Sequence, residues 1–433
     1  MKKTPLYNWH KAHGANMLEF SGWSMPLWYT AGAVAEHQIV IAGAGVFDTS
    51  HMSAIMINGP EAFDLLQRCF TKDLNACVSK SKTPLVPGRC VYGAYLNEMG
   101  EVLDDAIVYQ VAQGNYTTIV NAGMGATVSQ HLKAHAAGLE VDVTDLTDKV
   151  GKMDIQGPLS ARVLMKVLKS PEATLKDMAY FSFKGHFDEK SVAANTFVHG
   201  TIPVLLSRSG YTGEFGFEIF VDPSQLVRVW EAVLEAGASY GVIPCGLAAR
   251  DSLRTGAVMP LSHQDIGPCP FINHPWPFAL PYSTDETAFT KRFIGDRILK
   301  LRETAEHTHP FVGYDPRKVS VHDPAVVLDS DGEQIGVVLT CVADMAIGRV
   351  GDRIYSIASP DKPEGFQPRG LCCGFVRVKS RLSQGQEVEL SDNRRKIRVV
   401  IVDDIRPHRT ARRLIDEMMY DTNSYGDGRH NET

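Results

Sequence analysis

Two adjacent acids, Asp104 and Asp105, stand in a segment that otherwise has the pattern of a β-strand. A strand pattern over Val91–Leu96 is followed by a turn of sequence NEMG, and the pattern resumes from Val102 to Tyr109. Because side chains alternate between the two faces of a strand, we expect the two carboxylates on opposite faces. One of them could point into a pocket and take up a proton, and the alternative is an exposed hairpin end.

Two further charged residues could bind a polar ligand. Glu218 follows a glycine-rich segment over 210–216 and alternates with apolar residues, whereas Glu214 is expected at the surface. Arg250 and Arg254 are four residues apart in a predicted helix and would share one face of it. A guanidinium suits a carboxylate as a bidentate partner, so Arg250 could bind an acidic ligand or pair with an acid at a domain interface.

The helices and strands that carry these residues do not follow the regular strand–helix alternation of a doubly wound sheet. Helices are predicted over 59–74, after Pro158, and from Asp222 to Gly237. Short strands lie between them, and strand patterns separated by turns return after residue 309. We therefore predict an α+β protein with a C-terminal β-barrel.

Composition narrows the class of protein. The chain has 433 residues, 44% hydrophobic residues and a net charge of −6, which argues against a nucleic-acid-binding surface. No apolar stretch is long enough to span a membrane, no secretory signal is found, and eight scattered cysteines fit a reduced, cytoplasmic protein. We predict no metal site, because the spacing of His263, Asp265, Cys269 and His274 matches no common zinc motif.

Eight segments in order resemble the glycine cleavage T-protein (aminomethyltransferase) family of tetrahydrofolate-dependent one-carbon transferases. They extend over the first 260 residues, and together they are far more specific than any one of them alone. The segments are LYNWH (6–10) with FSGWSMP (20–26), VAEH (34–37), VFDTSHM (46–52), LDD (103–105), IQGP (155–158), GYTGE (210–214) and GLAARDSLR (246–254).

The resemblance implies a three-domain cloverleaf of T-protein type that binds tetrahydrofolate in a central cavity. With its help we place one domain over 1–53 plus 146–285 and a second over 54–145, which carries Asp105. The strand patterns and the polar, glycine-containing end of the chain predict a β-barrel domain over 309–415 and a disordered tail over 416–433. Asp105 is then the catalytic carboxylate, Glu218 binds the pterin ring, and Arg250 lies in the cofactor site. Further ligand contacts are implied at Met52, Tyr92, Tyr109, Asn121 and Tyr211, and catalysis by His51 is a weaker alternative.

The segment over 268–281 departs from the family pattern, with five prolines and several aromatic residues. This leaves the one-carbon donor open. An aminomethyltransferase would take its group from a lipoylated carrier protein, whereas a demethylase would take a methyl group from a small sulfonium, quaternary-amine or methoxy donor. A non-catalytic folate-binding regulatory protein is the third possibility. Aromatic rings could form a cage for a methylated cation, or the segment could only buttress a domain seam. The candidate cage residues are Trp23, Trp28, Phe271 and Trp276.

Overall fold

The computed structural model describes residues 1–79, 81–321 and 325–420 of the chain. Helices and mostly antiparallel strands are mixed along this part, so the predicted α+β class is confirmed. The tail predicted over 416–433 begins instead with a helix, Ile415–Tyr420. Met418 in this helix is buried in the core beside the helix Ser160–Val167, and this packing explains the difference. Residues 421–433 lie outside the described part.

One mixed sheet, called sheet A here, carries Glu218 and the strand whose last two residues begin the segment IQGP. Its strands are antiparallel neighbours except for the last pair, which is parallel. Its central strands are buried on both faces, with helices packed on one side. In sheet order the strands are Phe183–Gly185, Leu205–Ser207, Gly216–Val221, Gly151–Gln156, Gly45–Asp48 and Ile243–Pro244.

A second, antiparallel sheet, called sheet B here, carries Asp104 and Asp105. Val108 and Val120 point to the face covered by helices, while the neighbouring Ile107 and Ile119 point to the opposite face. That opposite face borders a large cavity. In sheet order the strands are Arg89–Leu96, Val102–Ala112, Asn115–Val120, Ser53–Asn58 and Asp142–Asp145.

The strand-rich C-terminal region closes into a barrel, as predicted. Its interior is filled by side chains such as Phe311, Val376 and Leu390. Around the barrel the strands are His307–Gly313, Leu371–Val378, Gln334–Asp344, Val326–Leu328, Glu387–Ser391 and Lys396–Ile401.

The helices follow the predicted positions with shifted ends. The helix predicted over 59–74 covers only Ala62–Cys69, because Phe70 adopts an extended backbone. Asp222 caps the next predicted helix as expected, through a short 3₁₀ turn that leads into Leu226–Gly237. The other α-helices are Tyr7–Ala12, Ala33–Ala42, Gly125–Ala134, Ser160–Val167, Pro171–Leu175, Leu247–Gly256, Asp296–Leu299 and Ile415–Tyr420.

Smaller elements complete the described part of the chain. Within this part, no helix is long and apolar enough to cross a membrane. The remaining strands are Lys2–Lys3, Asn16–Phe20, Trp23–Trp28, Phe197–Val198, Ile202–Pro203, Ile347–Val350 and Arg353–Ser356. The 3₁₀ helices are Pro223–Gln225, Ala238–Tyr240, Pro277–Ala279 and Arg302–Thr304.

Candidate active site

A cavity of about 2070 Å³ lies between sheets A and B and the barrel. It is large enough for an extended ligand, since small-molecule pockets are typically about 300–1,000 Å³. The structure brings most of the residues singled out in the sequence to its wall. These are Met52, Tyr92, Asp105, Asn121, Tyr211, Glu218 and Arg250, together with His51.

Asp105 reaches this cavity from the long strand Val102–Ala112 of sheet B. The hydroxyl of Tyr92 donates a 2.8 Å hydrogen bond to its Oδ2, and the side-chain amide of Asn121 donates one of 2.6 Å to its Oδ1. Burial raises the pKa of Asp105, and the two hydrogen bonds oppose this rise. The carboxylate is thus held in place with an increased affinity for a proton.

Asp104, its neighbour, is completely buried. Its carboxylate accepts hydrogen bonds from the backbone N–H of Asn121 at 2.7 Å and from the hydroxyl of Ser262 at 2.8 Å. Burial and the nearby charge of Asp105 raise the pKa of Asp104 to about 7. Because Asn121 Nδ2 also donates to Asp104, at 2.8 Å, one amide joins the two acids.

Glu218 lies on the other side of the cavity, in the strand Gly216–Val221. Its Oε2 accepts hydrogen bonds from Tyr109 at 3.1 Å and from Ser209 at 2.9 Å, and its Oε1 lies 3.1 Å from Nζ of Lys152. Tyr109 is buried and holds Glu218 in place, and it does not line the cavity.

Glu214, expected at the surface, is instead buried and paired with Arg406. Its burial follows from its position between Arg406 and Thr410.

Arg250 pairs with a buried acid at the edge of the cavity. Its Nη1 donates a 2.9 Å hydrogen bond to Asp154, and its guanidinium carbon lies 5.0 Å from the ring centre of Tyr211. The sequence left open whether Arg250 binds a ligand or pairs with an acid of the protein. The ion pair with Asp154 is present, and the Arg250 side chain also lines the cavity. Tyr211 is fixed in turn by a hydrogen bond to the carbonyl of Pro260.

Sequence reasoning missed Lys152 and Asp154, which connect these groups. Nζ of Lys152 lies 2.8 Å from Asp154 and 3.1 Å from Glu218, and both Lys152 and Asp154 are buried. A signal was available, because the two residues alternate with apolar ones in the fully buried strand GKMDIQ over 151–156. Charged residues on one face of such a strand require partners.

His51 lines the cavity without a hydrogen-bond partner for its Nδ1 among the described residues. Burial and the neighbouring Arg250 lower its pKa to about 4, so its imidazole is neutral near pH 7. A neutral imidazole with a free ring nitrogen can form a hydrogen bond with a ligand.

The four candidate cage residues are not brought together. Phe271 and Trp276 are each 1% exposed and pack with Ala94 and Phe375 in the seam between sheet B and the barrel. Trp23 is buried in a separate small sheet, and Trp28 is 38% exposed. Among the described residues, none of the four lines the large cavity. The buttressing alternative describes the segment better, since Nε1 of Trp276 also donates a hydrogen bond to the carbonyl of Val258.

The fold and the cavity together define an α+β protein whose central site holds buried or partly buried carboxylates from two different sheets. The family model for the GCVT N-terminal domain matches residues 6–269. The chain belongs to this family, which confirms the resemblance found in the sequence.

Curated relatives and a solved structure extend the similarity over most of the chain. An aminomethyltransferase of Geobacillus sp. (strain WCH70) is 33% identical over 344 residues, which cover 78% of this chain and 86% of that protein. An aminomethyltransferase of Geobacillus thermodenitrificans is 30% identical over 403 residues, covering 93% and 97%. The crystal structure of glycine cleavage system aminomethyltransferase T from Bartonella henselae is 28% identical, with a TM-score of 0.72 and coverage of 93% and 96%. The T-protein type of fold predicted from the sequence is thereby confirmed.

Proposed function

We propose that this protein is a tetrahydrofolate-dependent aminomethyltransferase. It takes an aminomethyl group from the lipoyl arm of a carrier protein, forms methylenetetrahydrofolate and releases ammonia. Family membership and the aminomethyltransferase relatives support the reaction class. The observation that carries the proposal is Asp105, a partly buried carboxylate that lines the cavity and is oriented by Tyr92 and Asn121.

The residues of the cavity fit a reduced folate. Glu218 would accept hydrogen bonds from the N–H and amino groups of the pterin ring, and Tyr109 and Lys152 would hold Glu218 in position. Arg250, whose Nη1 is engaged by Asp154, would bind the carboxylates of the folate tail through its other N–H groups. Contacts from Met52, Tyr92, Asn121 and Tyr211 belong to the same proposal.

Bound tetrahydrofolate would supply the N5 amine that takes up the one-carbon unit. Asp105 would orient that amine, accept the proton that it loses, and stabilise the positive charge that develops beside it. The raised pKa of Asp105 makes the carboxylate a stronger base than an exposed aspartate. Asn121 would assist by holding Asp105 and Asp104 in a fixed arrangement.

The proposed division into domains follows the sheets. Sheet A draws its strands from 1–53 and 146–285, sheet B mainly from 54–145 and the barrel mainly from 309–415. One strand of sheet B begins a residue earlier, at Ser53, and one strand of the barrel begins two residues earlier, at His307. A cytoplasmic location belongs to the same proposal, and the cysteines, all free in the described part, are compatible with it. No role with nucleic acids is proposed, in line with the net charge of −6.

An assay of the folate product tests this function. Tetrahydrofolate is incubated with the full-length protein and either a carrier protein loaded with aminomethyl-lipoyl groups or a small methylated sulfonium, amine or methoxy compound. Methylenetetrahydrofolate and ammonia formed only with the carrier support the proposal. Formation of 5-methyltetrahydrofolate from a small donor would show a demethylase, and folate binding without turnover would show a regulatory protein.

A further inference from the structure

Three side chains that can ligate a metal ion converge on the outer side of sheet B. Cys69 is the last residue of the helix Ala62–Cys69, while His131 lies in the helix Gly125–Ala134 and His135 directly follows it. One potential ligand atom from each residue lies within 4.8 Å of the other two. Among the described residues, this is the one group of three or more His, Cys, Asp or Glu side chains whose potential ligand atoms lie this close together.

The cluster is separate from the folate site proposed above. The two helices cover the face of sheet B to which Val108 and Val120 point, whereas the cavity borders the face of Ile107 and Ile119. Among the described residues, no member of the cluster lines the cavity. The inference below therefore does not depend on the proposed reaction.

The two histidines present suitable nitrogen atoms. Nδ1 of His135 forms a 2.8 Å hydrogen bond with the carbonyl of His131, which requires a proton on Nδ1 and leaves the lone pair of Nε2 free. Nε2 of His131 is buried and has no hydrogen-bond partner in the described part of the chain. A buried polar atom without a partner requires an explanation, and a bound ion supplies one.

Helix carbonyl groups near the cluster favour a bound cation, and two basic side chains oppose it. The C-terminal ends of both helices approach the cluster, and their carbonyl groups favour positive charge. Arg68 and Lys291 lie near Cys69 and oppose a cation, although burial lowers the pKa of Lys291 to about 7 and so reduces its charge.

We propose that Cys69, His131 and His135 bind one transition-metal ion of the zinc class, with water at a fourth position. One thiolate and two imidazoles form a donor set typical of Zn²⁺. Tetrahedral coordination places such donor atoms about 3.3–3.6 Å apart, so small side-chain rotations would close the site. Binding would release the thiol proton of Cys69 and would join two helices that are separate in sequence. This proposal differs from the prediction that no metal site exists, which considered only the spacing of residues along the sequence.

Titration of the full-length, metal-free protein with Co²⁺ tests the site, because a cobalt–thiolate bond gives an absorption band in the near ultraviolet. We expect one equivalent to bind with this band and with visible bands of tetrahedral Co²⁺, and Zn²⁺ to displace it. Cys69→Ser should abolish the thiolate band, and His135→Gln should weaken binding by about 10–100-fold or more, the loss typical of even an outer-shell partner. Cys77→Ser, a partly buried cysteine outside the cluster, is the matched control and should bind like the wild type.

Thermal unfolding with and without Zn²⁺ gives a second test that does not require Cys69→Ser to fold. At a Zn²⁺ concentration a hundredfold above its Kd, the folding equilibrium of the wild type should shift by about a hundredfold, and that of His135→Gln should shift less. A wild-type protein with no thiolate band and no thermal shift would overturn the proposal. A band that persists in folded Cys69→Ser would overturn it as well.

Discussion

The hydroxyl of Tyr92 donates a 2.8 Å hydrogen bond to Oδ2 of Asp105 across two antiparallel strands of sheet B. Both side chains line the cavity. This bond lowers the pKa of Asp105, whereas burial raises it. Tyr92 therefore controls how readily the proposed catalytic carboxylate takes up a proton.

Replacing Tyr92 by phenylalanine should raise the pKa of Asp105. A hydrogen bond to a charged group contributes about 1.5–3 kcal/mol, so the acidic limb of the kcat profile should move to higher pH by about one to two units. Measurement of kcat at saturating folate across the pH range checks this shift. Tyr314→Phe, which removes an exposed bond to Glu387, is the control and should leave the profile unchanged. An unshifted limb in Tyr92→Phe would show that Asp105 does not control it.

Asp104 should make the stability of the protein depend on pH. Its pKa is raised from 3.8 to about 7, so the folded state holds a proton that the unfolded state releases. The free energy of unfolding should therefore fall as pH rises from about 4 to about 7, relative to the variant Asp104→Asn, which cannot ionise. Urea denaturation of both proteins at several pH values measures the difference. Parallel curves for the two proteins would contradict the assignment.

Lys152 should be essential for stability because it lies between two buried acids, Asp154 and Glu218. Lys152→Met leaves both with one partner fewer and should lower the free energy of unfolding by about 3–5 kcal/mol. The exposed Lys166 is the control, and Lys166→Met should change the free energy of unfolding by less than about 0.5 kcal/mol. Combining Lys152→Met with Glu218→Gln should cost less than the sum of the two single changes. Additive effects would mean that the two side chains do not interact.

Arg406 connects the end of the barrel to the loop before Glu218. It is completely buried, with Nη1 2.8 Å from Asp344 and Nε 3.3 Å from Glu214. Arg406→Met should therefore lower the free energy of unfolding by about 3–5 kcal/mol, since it leaves two buried acids without this partner. Arg398→Met removes an exposed arginine of the barrel and should have little effect. Equal stabilities for the two variants in urea denaturation would contradict this role.

The sequence predicted those parts of the site that local pattern determines. Strand alternation separated Asp104 from Asp105, and the structure places Asp105 at the cavity and Asp104 in the interior. The cap at Asp222 and the closed barrel likewise followed from short-range signals.

Partners that are distant in sequence could not be predicted in this way. The pair of Arg250 with Asp154 joins residues 96 positions apart, so an arginine pattern alone could not decide between a ligand and an internal acid. The aromatic residues of 268–281 left a cage and a buttress as alternatives, because the residues that bury Phe271 and Trp276, such as Ala94 of sheet B and Phe375 of the barrel, are distant in sequence. The cluster of Cys69 with His131 and His135 depends in the same way on the packing of two helices.

The variant Asp105→Asn gives the most direct test of the proposed mechanism. Asparagine keeps the size of the side chain and can still contact Tyr92 and Asn121, but it cannot accept the proton of the folate amine. With tetrahydrofolate and a loaded lipoyl carrier, we predict a loss of turnover of at least about a hundredfold, while the Kd for tetrahydrofolate changes by less than about tenfold. Turnover equal to that of the wild type would contradict the assignment of Asp105 as the catalytic carboxylate.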